Sequence, residues 1–142
     1  MSRDPVETVQ RVYELAGESW RRRAAGERDP MAPVRELWHP ELVIEEMPEF
    51  PDSGTYHGYE GLARWWSAWF DVYDEVRIEP REYIRAGDRV VADVDHLLRS
   101  KAGIDLTYHG MHVWTVRDGR IVHVCGFRAR ADALAAVGVA ES

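Results

Sequence analysis

The stretch MHVWTVRDGRIVHVCGF, residues 111–127, decides the fold class of this chain. Apolar and polar side chains alternate on both sides of Asp118-Gly119, which is the pattern of two half-buried strands. Asp-Gly favours a tight hairpin turn, because both central residues of that turn take positive φ. The stretch therefore predicts two antiparallel strands, residues 105–116 and 120–127, joined at Asp118-Gly119.

The same alternation continues upstream and predicts two more strands, residues 76–84 and 89–99, separated by glycine-containing turns. Before residue 75 the apolar period changes from 2 to 3.6, which is typical of helices. A block of helices followed by a block of strands favours an α+β domain over alternating α/β. We therefore expect one α+β domain over residues 1–142.

Turn and cap signals divide the first half of the chain. Asp4-Pro5 combines an N-cap with a proline at the first helical position. The predicted elements are a helix over residues 5–25, a short helix from 29 to 38, a strand over 41–47, a loop over 48–58 and a third helix over 62–73. A short closing helix is predicted over residues 129–137.

Charge and composition restrict the partners. The chain carries 25 acidic and 18 basic residues, a formal charge of −7, which disfavours binding to nucleic acid or to an anionic membrane. A single cysteine, Cys125, forms no internal disulfide. The N-terminal residues lack the apolar core of a secretory signal, and no apolar run approaches the length of a membrane span. We expect a cytoplasmic protein.

Four ordered segments resemble a known family. They are LWHPELVIEE at 37–46, YHGYEGL at 56–62, HVWTVRDGRIV at 112–122 and RADAL at 130–134. In this order they resemble the SnoaL-like, polyketide cyclase-related branch of the nuclear transport factor 2-like superfamily. The resemblance implies a curved antiparallel sheet packed against N-terminal helices, cone-shaped with an internal pocket, and a homodimer. It implies no single activity, since the superfamily includes isomerases, cyclases, dehydratases, epoxide hydrolases and non-catalytic modules.

Glu46 is the first candidate catalytic residue. Along a strand, Ile44 and Glu46 share one face and Glu45 takes the other, so an inward Ile44 carries Glu46 into the pocket. Ketosteroid isomerases, which the chain resembles here, have their proton-abstracting carboxylate at the matching position. A pocket carboxylate suits general-base chemistry. The alternative is a strand-end carboxylate that faces solvent or pairs with an arginine.

Histidines supply the second set of candidates. In the strand 89–99, His96 shares its face with Val90, Ala92, Val94 and Leu98, which predicts that it faces the pocket. On the next strand, Met111 matches the oxyanion position of the isomerases, and an inward Met111 carries His109 inward as well. Trp114 then lies on the outer face as a candidate dimer contact. The alternative for each histidine is a hydrogen-bonded core residue or a dimer-face residue.

The remaining pocket candidates are aromatic residues and one arginine: Tyr13, Trp38, Trp66, Trp69 and Arg128. Arg128 is expected at the rim, where it binds a substrate carboxylate or pairs with Glu46; the alternative is an exposed strand end. No metal-ligand spacing is present, so neither a metal nor another cofactor is predicted.

Three functional hypotheses follow. The first is a cofactor-independent enzyme of cyclase, isomerase or dehydratase type, acting on a small hydrophobic carbonyl compound. In it Glu46 moves a proton and His96 or His109 polarises the carbonyl. The second, ranked after the first, is a non-catalytic small-molecule binding protein. Met111 supports it, because a methionine side chain at the oxyanion position cannot donate a hydrogen bond. The third is a dimeric interaction module whose pocket is packed core.

Overall fold

The computed structural model describes residues 4–47 and 54–139, so residues 48–53 of the predicted loop lie outside the described part. The elements in chain order are α1 (Pro5–Ala24), α2 (Ala32–Arg35), β1 (Trp38–Glu45), β2 (Thr55–His57), α3 (Gly58–Val72), β3 (Tyr73–Ala86), β4 (Arg89–Ser100), β5 (Asp105–Arg117), β6 (Arg120–Phe127) and α4 (Arg130–Ala136). The predicted α+β class is confirmed.

The strands form one curved, open sheet in the order β2-β1-β6-β5-β4-β3. Neighbouring strands are antiparallel except β1 and β6, which run parallel. The predicted four-strand antiparallel meander is β3 to β6, and the parallel pair joins β1 to it. Since β1 and β6 are far apart in the chain, no hairpin imposes an antiparallel pairing on them.

The predicted hairpin between β5 and β6 is confirmed. Asp118 has φ 54° and Gly119 has φ 75°. Positive φ at both central positions is what a type I′ turn requires, and its twist matches that of the flanking strands.

The largest differences from the predicted element boundaries lie between residues 29 and 62. The second helix ends at Arg35, and Trp38 opens β1 instead. Pro40 is tolerated near the start of this strand, where a missing N–H costs least. The short strand β2 occupies part of the predicted loop, and α3 begins at Gly58, four residues before the predicted start.

Helices cover both faces of the sheet. On the inner face, α1 packs across β3, β4 and β5, and α3 packs on β1. The main core lies between them. On the outer face, α4 covers a smaller apolar cluster. No helix within residues 4–47 and 54–139 is long and apolar enough to cross a membrane. The cytoplasmic location stays a prediction.

Candidate functional site

A cavity of about 130 Å³ lies between the inner face of the sheet and helices α1 and α3. All six tryptophans of the chain contribute to its wall: Trp20, Trp38, Trp65, Trp66, Trp69 and Trp114. Their rings contact one another at centroid distances typical of packed aromatic pairs, such as 5.8 Å between Trp65 and Trp66 and 5.8 Å between Trp38 and Trp114. Five of the six rings form a continuous run, from Trp20 through Trp66, Trp65 and Trp38 to Trp114.

Glu46 faces this cavity, as the strand alternation predicts. Its Oε2 accepts hydrogen bonds from Trp65 Nε1 at 2.7 Å and from Trp69 Nε1 at 3.3 Å. The backbone N–H of Met47 donates to Oε1 at 2.9 Å. Trp65 and Trp69 are one helical turn apart on α3, which puts both indoles on the same helix face. Helix α3 thus holds the carboxylate at a fixed place.

Tyr13 connects α1 to β5 through a hydrogen-bond chain. Trp114 Nε1 donates to the Tyr13 hydroxyl at 2.9 Å, and the hydroxyl lies 2.6 Å from Nδ1 of His112. The hydroxyl hydrogen is satisfied when it is donated to Nδ1, which assigns the remaining imidazole proton of His112 to Nε2. Burial raises the pKa of Tyr13 well above its usual range, so the phenol stays protonated.

His96 and His112 are held neutral on the inner face. Nδ1 of His96 lies 3.2 Å from the carbonyl oxygen of Tyr108, which can only accept, so Nδ1 carries the proton. Burial lowers the pKa of His96 to about 4 and that of His112 well below its usual value. Their rings meet edge to face at 5.1 Å. Among the described residues, no group of three or more His, Cys, Asp or Glu side chains could hold a metal ion.

The predicted inward orientation of His109 and Met111 is wrong. His109 is on the outer face with a half-exposed side chain; its Nε2 lies 2.8 Å from Asp93 Oδ1 and its Nδ1 lies 3.2 Å from Asp95 Oδ1. Met111 is buried in the cluster that packs under α4. The reason is the register of β4 and β5, which pairs the outward Asp93 with Met111 and Asp95 with His109. Cross-strand partners share a face.

The same register places His112 and Trp114 inside. His112 pairs with the inward Ala92, and Trp114 pairs with Val90. Sequence reasoning therefore missed His112 as a site residue. It also put Trp114 at a dimer contact, whereas Trp114 is buried beside the cavity. The homodimer loses that proposed contact and stays a prediction.

The remaining pocket candidates divide by position. Tyr13, Trp38, Trp66 and Trp69 line the cavity. The indole nitrogens of Trp38 and Trp66 are buried without a hydrogen-bond partner among the residues described. Such donors carry a free-energy cost unless a water or ligand accepts from them. Arg128 is exposed between β6 and α4 and does not border the cavity, because the strand ends at Phe127 before its alternation reaches position 128.

Comparison with known proteins agrees with this architecture. A SnoaL-like domain family matches residues 18–124. No curated protein gives a significant match.

Three solved structures illustrate the shared fold. TerC, co-crystallised with polyporic acid, is 23% identical with a TM-score of 0.64, over 89% of this chain and 97% of that chain. A putative SnoaL-like polyketide cyclase from Jannaschia sp. CCS1 is 16% identical with a TM-score of 0.67, over 99% of each chain. RV0760c from Mycobacterium tuberculosis, in complex with estradiol-17beta-hemisuccinate, is 17% identical with a TM-score of 0.61, over 82% and 92%.

At these identities the likeness shows the fold alone. Two of these proteins were crystallised with small organic molecules. The family match spans most of the chain, and the sheet, helices and cavity implied by the resemblance are present. This chain belongs to the SnoaL-like domain family.

Proposed function

We propose that the chain binds a small, mainly apolar carbonyl compound in this cavity and catalyses proton transfer at a carbon activated by the carbonyl. The observation that supports this most directly is the Glu46 carboxylate, which lines an aromatic cavity and is fixed by Trp65 and Trp69. A positioned carboxylate that lines an aromatic cavity is suited to act as a general base. Its fixed orientation favours proton transfer, because the base does not have to be ordered during the reaction.

His112 is the proposed electrophile. When Glu46 takes the proton, the C–H electron pair forms a carbon–carbon double bond and the carbonyl π pair moves onto oxygen. The resulting enolate oxygen accepts a hydrogen bond from Nε2–H of His112, whose neutral state is set by burial and whose tautomer is set by Tyr13. The protonated Glu46 then returns the proton to carbon. His112 replaces His109 in this role.

Proton exchange tests the proposal. We expect the wild-type protein to accelerate exchange of the α-protons of a bound ketone in D₂O, followed by NMR. Glu46→Gln should remove most of this acceleration, since general-base catalysis contributes about a hundredfold or more. Glu45→Gln is the matched control: that residue also borders the cavity, but its carboxylate lies 2.6 Å from Nε2 of His123. Full exchange in Glu46→Gln contradicts the proposal.

The non-catalytic binding protein is the competing function. Its sequence argument came from Met111 at the oxyanion position, and this argument no longer applies, because Met111 packs under α4. A pure binder would be stabilised by a ketone in a thermal-shift assay and would leave the α-proton exchange rate at its value in buffer. An interaction module with a packed core would show neither effect.

A further inference from the structure

We infer that the ligand is a neutral single-ring ketone, and this inference rests on the function proposed above. The ring lies beside Gly126, between Glu46 and His112, with its carbonyl directed to His112 and its acidic carbon to Glu46. Three properties of the cavity support the inference of a neutral single-ring ketone: its volume, its floor and its charge.

The volume limits the ring count. An apolar protein cavity of about 150 Å³ holds one benzene ring, whereas sites for drug-sized molecules occupy roughly 300–1,000 Å³. The cavity here is about 130 Å³. Its wall is a set of packed tryptophans, whose large rings cannot retreat without displacing one another. One ring with a short substituent fits this space, and a fused four-ring system does not.

The floor sets the orientation. Glu45 of β1 pairs with Cys125 of β6, so the next residue, Glu46, is level with Gly126. On the other side of β6, Gly126 pairs with His112 of β5. Glu46 and His112 therefore stand on either side of Gly126, two strand spacings or about 10 Å apart at the backbone. Gly126 lines the cavity and has no side chain between them.

Gly126 makes room for the side chain of Met47. A Cβ on residue 126 would lie 2.7 Å from Cγ and 2.9 Å from Sδ of Met47, whose side chain is buried. The Met47 side chain therefore takes the space over the Cα of Gly126, and Gly126 borders the cavity between the base and the hydrogen-bond donor. A ring in this position has one edge toward each polar group.

The charge excludes anionic ligands. His96, His112 and Tyr13 are neutral, as their shifted pKa values require. The cationic side chain that borders the cavity is Arg77, which is 71% exposed and lies 3.3 Å from Glu79. No buried cation among the described residues therefore balances a ligand carboxylate, while Glu46 repels one.

The experiment compares four ketones by isothermal titration: acetophenone, 4-acetylbenzoate, 2-acetylnaphthalene and androstenedione. We expect acetophenone to bind at least about tenfold more tightly than each of the others. Ala16→Leu fills the cavity from α1 and should abolish acetophenone binding, whereas Ala63→Leu on the exposed side of α3 should not. Urea unfolding of both variants checks that each is folded.

The outcomes separate this inference from the proposed function. Tighter binding of androstenedione or of 2-acetylnaphthalene overturns the single-ring class, and tighter binding of 4-acetylbenzoate overturns the neutral class. In either case, Glu46-dependent exchange of the preferred ketone would still support proton transfer. Preferred binding of acetophenone without exchange supports the ligand class and removes the catalytic proposal. Absence of binding by all four ketones overturns both.

Discussion

His112 and His109 are three residues apart on β5 and have opposite surroundings. His112 lies on the inner face between Tyr13, Trp114 and His96, where burial keeps it neutral. His109 lies on the outer face with 48% of its side chain exposed. Its neighbours there are the carboxylates of Asp93 and Asp95.

The difference shows that the two faces of one strand have separate structural roles. Because side chains alternate, the inner residues of β5 build the cavity while the outer ones build an apolar layer under α4 and a charged surface beyond it. Chemical type alone does not identify a site histidine; the face it occupies does. Four substitutions test this separation of the faces, in decreasing order of expected effect.

Met111→Ala should cost about 2–5 kcal/mol of the free energy of unfolding, because it leaves a void in the buried cluster under α4. Urea denaturation measures the loss. The control is Leu106→Ala on the same strand, which is 49% exposed and should change stability by about 0.5 kcal/mol or less. Equal effects of the two substitutions would mean that α4 does not complete a core on the outer face.

His96 should make stability depend on pH. Its pKa is about 4 in the folded state and 6.5 in the unfolded state, so between these values only the unfolded chain binds the extra proton. The stabilisation of the folded state by neutral His96 is fully present above pH 6.5 and is lost as the pH falls toward 4. The free energy of unfolding decreases by about 3 kcal/mol in total over this range. The stability difference between wild type and His96→Leu, measured in urea across this range, should shrink by that amount. A constant difference would contradict the buried neutral state.

Tyr13→Phe should cost about 1–3 kcal/mol, because Nδ1 of His112 and the indole N–H of Trp114 each lose their hydrogen-bond partner inside the protein. A double-mutant cycle with Trp114→Phe should give a coupling free energy of about 0.5 kcal/mol or more. Tyr59→Phe is the control, since Tyr59 is 40% exposed and water can replace its bond to Trp38 O. Additive effects at Tyr13 and Trp114 would disprove the hydrogen-bond chain.

His109→Gln should change stability by less than about 1 kcal/mol at pH 7, because polar contacts between partly exposed side chains contribute little. It should also leave the acetophenone dissociation constant unchanged. His112→Phe in the same titration provides the contrast and should weaken binding. If the two variants weaken binding equally, the assignment of the faces is wrong.

The sequence was sufficient for the fold class and most elements, because periodicity and turn chemistry are local. The change of period near residue 75 separated helices from strands, and Asp118-Gly119 located the final hairpin correctly. The local pattern of α2 continues to Trp38 and predicts a helix there. Its strand conformation depends on pairing with β6, which is far away in the sequence.

The site was predicted less well, for a physical reason. The alternation of a strand gives two faces but does not say which one is inward, and Met111 alone indicates the wrong face of β5. A better signal was present: Arg99 and Asp105 flank the β4–β5 turn, carry opposite charges and form an ion pair at 2.9 Å. Counting from this pair places His112 opposite the inward Ala92. The hydrogen bonds from α3 to Glu46 depend on how the helix packs, and local sequence does not determine that.

The central position of β6 has a consequence for synthesis on the ribosome. Until β6 is made, the three-residue strand β2 is the one partner of β1 in the sheet among residues 4–47 and 54–139. The pairing of β1 with β6 closes a chain segment of more than 70 residues, and contacts of such long range form late and slowly. We therefore expect nascent chains that stop before Arg120 to expose the tryptophan-rich wall and to depend on chaperones. Completion of the last strand would then assemble the sheet and the cavity in one step.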